Sequence, residues 1–271
     1  MFRFLALCLF AFLVLAAGCQ INRTFTPILP SQILGSERGR QGIAALEQGD
    51  LIKAEERLEH AVRLNKNDIN HRRHYAEVLW QQGKFQEALQ QLDEALKRGG
   101  QNNASLHISL AEKYLTIRNY PTAYRHADDA VRLNARDFHG WALRGRTKRL
   151  QAIHQAGDAK YTVAMLHQAR EDYIRAVSLA PNDRELLAEL ATVQLQCGQP
   201  EQALATWLTV QSLYPPGGEP VEVLIGKTET LAVLQRFDEA VANLAAIRQR
   251  GWEYSQHNTW TRSSVAFRSP L

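Results

Sequence analysis

The stretch LEQGDLIKAEERLEHAVRL at 46–64 is answered 34 residues later by WQQGKFQEALQQLDEALKR at 80–98. Gly49 recurs as Gly83, Ala54 as Ala88, Leu58 as Leu92 and Ala61 as Ala95. Chance rarely keeps four such offsets equal. A fixed period of this length marks a structural unit that cannot bury its apolar face alone and stacks on copies of itself.

Read outward from that pair, the chain divides into six copies. The first spans 35–68 with Gly42, Ala54 and Ala61 at its small positions, and the second spans 69–102 with Ala76, Ala88 and Ala95. The third, 104–137, carries Ala111, Ala123 and Ala130. The fourth, 138–183, holds 46 residues, 12 more than the others, so that one or both helices are extended or a loop intrudes near Ala156 and Gly157. The fifth, 184–217, carries Ala191, Gly198, Ala203 and Trp207, and the sixth, about 221–254, keeps Phe237 and Ala240.

These anchors resemble the tetratricopeptide repeat, a pair of antiparallel helices with small residues at the eighth, twentieth and twenty-seventh positions. Trp141, Arg144 and Gly145 stand in the family's W-x2-L-G frame, with Arg in place of Leu. The resemblance implies an all-α protein, an α-solenoid with the right-handed superhelix of about six helix pairs, sharing one continuous core. Where two helix axes approach within about 8–10 Å the residue at the crossing is small, which is why Ala and Gly recur there. Larger residues at the seventeenth position (Leu51, Phe85, Tyr120, Leu166, Phe237) and the twenty-fourth (Leu58, Leu92, Tyr173, Trp207, Leu244) are expected to fill the core.

The N-terminus has another character. Arg3 is the only charge before fourteen apolar residues from Phe4 to Ala17, fewer than the roughly 20 a membrane-spanning helix needs, which suits a targeting segment. Its end, LAAGC at 15–19, resembles the lipobox of bacterial lipoproteins, which implies removal of 1–18 and lipidation, with palmitate among the acyl chains, at Cys19. Gln20, where the pattern has no aspartate, points to the outer membrane, facing the periplasm. Residues 19–34, with Pro27 and Pro30, read as the lipidated end and a flexible tether reaching at most about 50 Å. The tail 255–271, with Trp260 and Phe267 but no acidic residue, is expected to fold back and cap the last helix, the alternative being a mobile tail that carries a short binding motif.

Without Arg3 the chain carries 31 Lys and Arg against 28 Asp and Glu. That weak excess gives no concentrated basic face, so nucleic acid is not expected as a partner. Only Cys197 lies beyond Cys8 and Cys19, so stability must come from stacking, with Cys197 as a small hydrophobe.

No H-E-x-x-H, C-x-x-C or G-x-S-x-G is present, and the fragment Gly226–Lys227–Thr228 lacks the first glycine of a phosphate loop. His71 and His74 stand three apart on one helix but Arg72 and Arg73 separate them and no third ligand is evident, so a solvated face is expected, with no metal and no other cofactor.

In the repeat family the first helices line a concave groove. The corresponding positions here are Arg73, Glu77 and Trp80 in copy two, Ile108, Glu112 and Leu115 in copy three, and His139, Arg146 and Arg149 in copy four. Arg73 and Glu77 depart from the carboxylate clamp of chaperone-binding members. The expectation is a non-enzymatic scaffold or adaptor, binding proteins or peptides of the cell envelope in the groove and attached to the membrane through its N-terminal lipid. The roles implied are envelope biogenesis, secretion or pilus assembly. The alternative is an enzyme or enzyme subunit with a site in the insertion near 150–165, where His154, Asp158 and Tyr161 cluster in sequence.

Overall fold

A computed structural model describes residues 30–154 and 159–249. Cys19, Asp158 and the tail from 255 lie outside the described residues, as does the apolar run at 4–17. Among those described there are twelve α-helices and no strand. They are α1 (Pro30–Glu47), α2 (Leu51–Leu64), α3 (Ile69–Gln81), α4 (Phe85–Lys97), α5 (Ala104–Thr116), α6 (Tyr120–Leu133), α7 (Phe138–His154), α8 (Ala159–Leu179), α9 (Arg184–Gln196), α10 (Pro200–Ser212), α11 (Val221–Val233) and α12 (237–249). No described helix is long and apolar enough to cross a membrane.

The six helix pairs follow the 34-residue register, and their punctuation is local chemistry. Asp50, Asp68, Asn103, Asn119 and Asp183 each accept a hydrogen bond from the backbone N–H three residues on, which satisfies a donor that the first helical turn leaves open. Between the helices of a pair, position fifteen is left-handed in five copies: Gly49, Gly83, Arg118, Gly198 and Gln235. At each, that residue's N–H reaches the carbonyl three back and the next N–H the carbonyl five back, as in Gly83 to Trp80 and Lys84 to Leu79. This paired closure ends the first helix and turns the chain into the second.

Two compact units result, one ending at Lys66 and the other beginning at Asn67. In the first unit, α1 and α2 close on each other where Gly42 meets Leu58: a Cβ on Gly42 would lie 2.6 Å from Leu58 Cγ. Helix α1 begins at Pro30, so that 30–34, read as tether, are helical; proline's fixed φ suits a first turn, where its missing N–H costs nothing.

In the second unit the apolar clusters bridge successive pairs. Ala76, Leu79, Ala88, Leu92 and Ala95 pack with Leu106 and Leu110 of the next pair, and Ala152, Leu166, Ala169, Tyr173 and Ala176 with Leu186, Leu190 and Val193. All the crossing alanines are buried. In the fourth pair α8, at 21 residues, is longer than any other second helix, and α7, at 17, is longer than the first helices of pairs two, three, five and six, which have 13. Cys197 is half-buried against the α8–α9 cluster, and burial pushes its thiol pKa up.

Three large residues expected in the core are exposed: Phe85, Phe237 and Leu244. Phe85 opens α4 and lies against Trp80, ring centroids 4.7 Å apart, with its outer side in solvent. Tyr120, at the same repeat position, is buried because the lengthened α7 brings His154 over its ring. Phe237 and Leu244 sit on α12, which no further described helix covers.

Candidate partner-binding groove

The first helices α5, α7 and α9 lie in succession within the second unit, and between them opens a cavity of about 250 Å³. Glu112 enters from α5; Phe138, His139, Ala142, Leu143 and Arg146 from α7; Asp183, Glu185, Leu186 and Glu189 from the start of α9. The floor is apolar and the walls are charged. Three of the residues singled out from sequence, Glu112, His139 and Arg146, are brought together here.

Arg146 organises one wall. Its Nε donates to Glu189 at 2.7 Å and a terminal nitrogen donates to Glu185 at 3.0 Å. Burial works against its charge, but Glu189 and Glu185 outweigh that and hold the guanidinium protonated beyond its ordinary range. Behind it the buried Tyr173 hydroxyl lies beside Glu189 and Arg149 without a hydrogen bond of normal length; burial first, then Glu189, pushes the phenol pKa up. One oxygen of Glu189 and Nε of Arg149 are buried without hydrogen-bond partners. His139 is exposed and its ring nitrogen meets Asp137 at 2.8 Å.

Across the cavity, Glu112 is exposed as a residue, yet its carboxyl sits close enough to surrounding protein that burial, and then Glu77, raise its pKa. The balance is acidic: four carboxylates, from Glu112, Asp183, Glu185 and Glu189, face one guanidinium.

The remaining sequence candidates lie outside this cavity. Glu77 accepts from Lys113 Nζ at 2.6 Å, tying α3 to α5, and the same ammonium sits 5.1 Å from the Trp80 ring centre. Burial opposes the Glu77 charge, but the Lys113 and Gln81 hydrogen bonds bring its pKa below the carboxylate norm. Trp80, half-buried between Lys113 and Phe85, is largely covered. Arg73 donates to His74. Ile108 and Leu115 are half-buried against Ala111, Ala127 and Leu143.

Sequence reasoning missed Glu185, Glu189 and Lys113. Glu185 holds the second position of copy five, the register of His139 in copy four, so the same rule carried one copy further reaches it. Lys113 carried no signal, because its partner stands 36 residues earlier.

The helical face expected at His71 and His74 is less solvated than its charges suggest: His71 is buried and His74 half-buried. Gly226, Lys227 and Thr228 lie inside α11, with Gly226 against the Trp207 ring and Thr228 donating to the Leu224 carbonyl, so no loop is available to wrap a phosphate. Near the insertion, His154 is stacked on Tyr120 and the Tyr161 hydroxyl accepts from Gln151.

Residues 45–111 and 185–208 match family models described as tetratricopeptide repeat. Over those two segments the helix pairs match the tetratricopeptide repeat. No curated protein matches the chain in sequence. Its structure is similar to that of PilF from Pseudomonas aeruginosa, 17% identical over 84% of this chain and 98% of that one, with a TM-score of 0.67. It is also similar to PilW, a type IV pilus biogenesis factor, 13% identical over 79% and 92%, TM-score 0.68. A third neighbour is YrrB, a tetratricopeptide-repeat protein with a peptide-binding site, 19% identical over 70% and 90%, TM-score 0.54. At these identities the likeness is one of fold.

Proposed function

We propose that this protein is a non-catalytic scaffold that seats a segment of a partner protein in the groove between α5, α7 and α9. The observation that carries this reading is the groove itself: an apolar floor of Phe138, Ala142, Leu143 and Leu186 flanked by four carboxylates and one arginine. Arg146 is already paired with Glu185 and Glu189. A segment with Lys or Arg beside an apolar side chain supplies the missing charge to Glu112 and fills the floor, and Arg146 with Glu189 then gives register.

The setting we propose is the bacterial cell envelope, with the chain held by acyl groups at Cys19 on the outer membrane and facing the periplasm. LAAGC at 15–19 supports this, as does Gln20. A role in pilus assembly or a related envelope process is the reading that the fold neighbour PilW, a type IV pilus biogenesis factor, supports.

Two measurements test the proposal separately. Labelled palmitate should enter the wild-type chain and not the Cys19→Ser variant; equal labelling would remove the anchor and leave the groove untouched. Ala142→Trp fills the groove floor, and recovery of envelope partners with that variant should fall at least tenfold while its helical content is kept. Unchanged recovery would place binding elsewhere on the protein.

A further inference from the structure

Away from the groove, His107 of α5 and His126 and Asp129 of α6 converge inside the third repeat. Both histidines are buried and Asp129 is half-buried. His107 Nδ1 lies 3.1 Å from His126 Nδ1 and 3.6 Å from Asp129 Oδ2, and one ligand atom from each residue falls within 4.8 Å of the other two. Zinc bonds of about 2.0–2.1 Å in a tetrahedral site set neighbouring ligand atoms about 3.3 Å apart. The two closest separations bracket that value before any metal draws the groups together.

The surrounding hydrogen bonds orient the donors. His107 Nε2 meets the Gln101 backbone carbonyl at 3.1 Å. A carbonyl only accepts, so that nitrogen carries the proton and the neutral ring presents its Nδ1 lone pair to the cluster. A backbone carbonyl in this position is the usual partner of a metal-bound histidine. Asp129 Oδ1 accepts from Arg132, and Oδ2 is turned toward His107. The Tyr114 ring stacks on His126 at 10° between planes, which fixes the imidazole plane.

We propose that His107, His126 and Asp129 bind one divalent transition-metal ion, zinc by preference, clipping α5 to α6 within the third repeat. Two imidazoles and one carboxylate are a zinc donor set, and the fourth position is left to water or to a partner's side chain. In the metal-free state His126 Nδ1 donates to His107. Coordination moves that proton to His126 Nε2 by exchange with solvent, so no net proton is released from the two neutral rings. The site runs against the absence of metal expected from His71 and His74, because its ligands come from different helices, 19 and 22 residues apart, and no local motif announces them.

The test uses the full chain purified without a histidine tag, with Co2+ as spectroscopic probe and Zn2+ as competitor. The expected result is one Co2+ per chain with the intense visible absorption of a tetrahedral site, displaced by one Zn2+, and a raised thermal midpoint in Zn2+. His126→Gln should abolish binding and Asp129→Asn should weaken it at least tenfold, while His154→Gln, away from the cluster, leaves it unchanged. Should His126→Gln unfold, Asp129→Asn decides alone, since its side chain reaches the surface. A wild-type chain that binds no stoichiometric Co2+, or Asp129→Asn with undiminished affinity, overturns the site and leaves the His107–His126 contact as a hydrogen bond between rings.

Discussion

Arg144 and Asp172 are joined by two parallel hydrogen bonds, Nε to Oδ2 at 3.2 Å and a terminal nitrogen to Oδ1 at 2.7 Å, with the Asp172 side chain buried. Arg144 is the residue that departs from the repeat's usual leucine, and Asp172 is what it departs toward. Lys148 Nζ adds a third contact to Asp172 at 2.8 Å, and the Arg144 guanidinium covers the Trp141 ring. Removing the acid leaves Lys148 buried without its carboxylate and Arg144 held by Asp128 alone, at 2.6 Å. Asp172→Ala should therefore cost about 3–5 kcal/mol in urea unfolding, whereas Arg144→Leu, which leaves Asp172 paired with Lys148, should cost less than half as much. Equal losses would show that the three groups do not act as a network.

Position fifteen of the repeat offers a stabilising change. Arg118 and Gln235 occupy the left-handed conformation that Gly49, Gly83 and Gly198 hold elsewhere, with φ of 60° and 58°. A side chain there costs on the order of 1 kcal/mol relative to glycine. Arg118→Gly should raise stability by up to about 1 kcal/mol, and thermal unfolding reads the sign directly.

Crossing points give the opposite result. Ala88 is fully buried between α3 and the neighbouring helices, and Ala88→Trp should destabilise by about 1–3 kcal/mol or more. Gln90→Ala, two residues on and exposed, should stay within about 0.5 kcal/mol. Matching midpoints for the pair would contradict the helix register.

How much of this was legible in the sequence follows from the range of each interaction. Sterics at a helix crossing act on one residue, so Ala54, Ala88 and Ala123 spelled out the pairs, and Gly49, Gly83 and Gly198 the turns between them. Burial of a polar group depends on a partner far along the chain: Lys113 needs Glu77, Asp172 needs Arg144, and His107 needs His126. None has a local signature. The groove was half legible, because Glu112, His139, Arg146 and Glu185 follow the repeat register while Glu189 and the helix-capping Asp183 stand outside it. Phe85 misled for a similar reason, since its burial depends on the length of the helix that follows.

Acid should weaken the α3 region. Burial first, then Arg73 and His71, lower the His74 pKa to about 4 against the opposing pull of Glu77 and Asp68. Arg73 donates to Nε2 of the ring, a bond that protonation destroys. The unfolded chain binds the proton near 6.5 and the folded one near 4, so stability is full above about pH 6.5 and falls as pH drops toward 4. A tenfold difference in proton affinity between the two states is worth at most about 1.4 kcal/mol, and partial exposure of the ring reduces the whole effect to on the order of 1–2 kcal/mol. His74→Gln should lose that much less than wild type between about pH 7.5 and pH 4.5 in urea titrations; identical losses would clear His74 of the effect.

The groove reading meets its most direct test in cells, with a photo-crosslinking side chain placed at Ala142 on the groove floor and, separately, at Gln202 on the exposed side of α10. A groove that seats a partner segment gives a discrete adduct from Ala142, none from Gln202, and loss of the Ala142 adduct when Glu112→Gln and Glu189→Gln are combined. Adducts of equal yield from both positions, or an Ala142 adduct indifferent to those carboxylates, would contradict it.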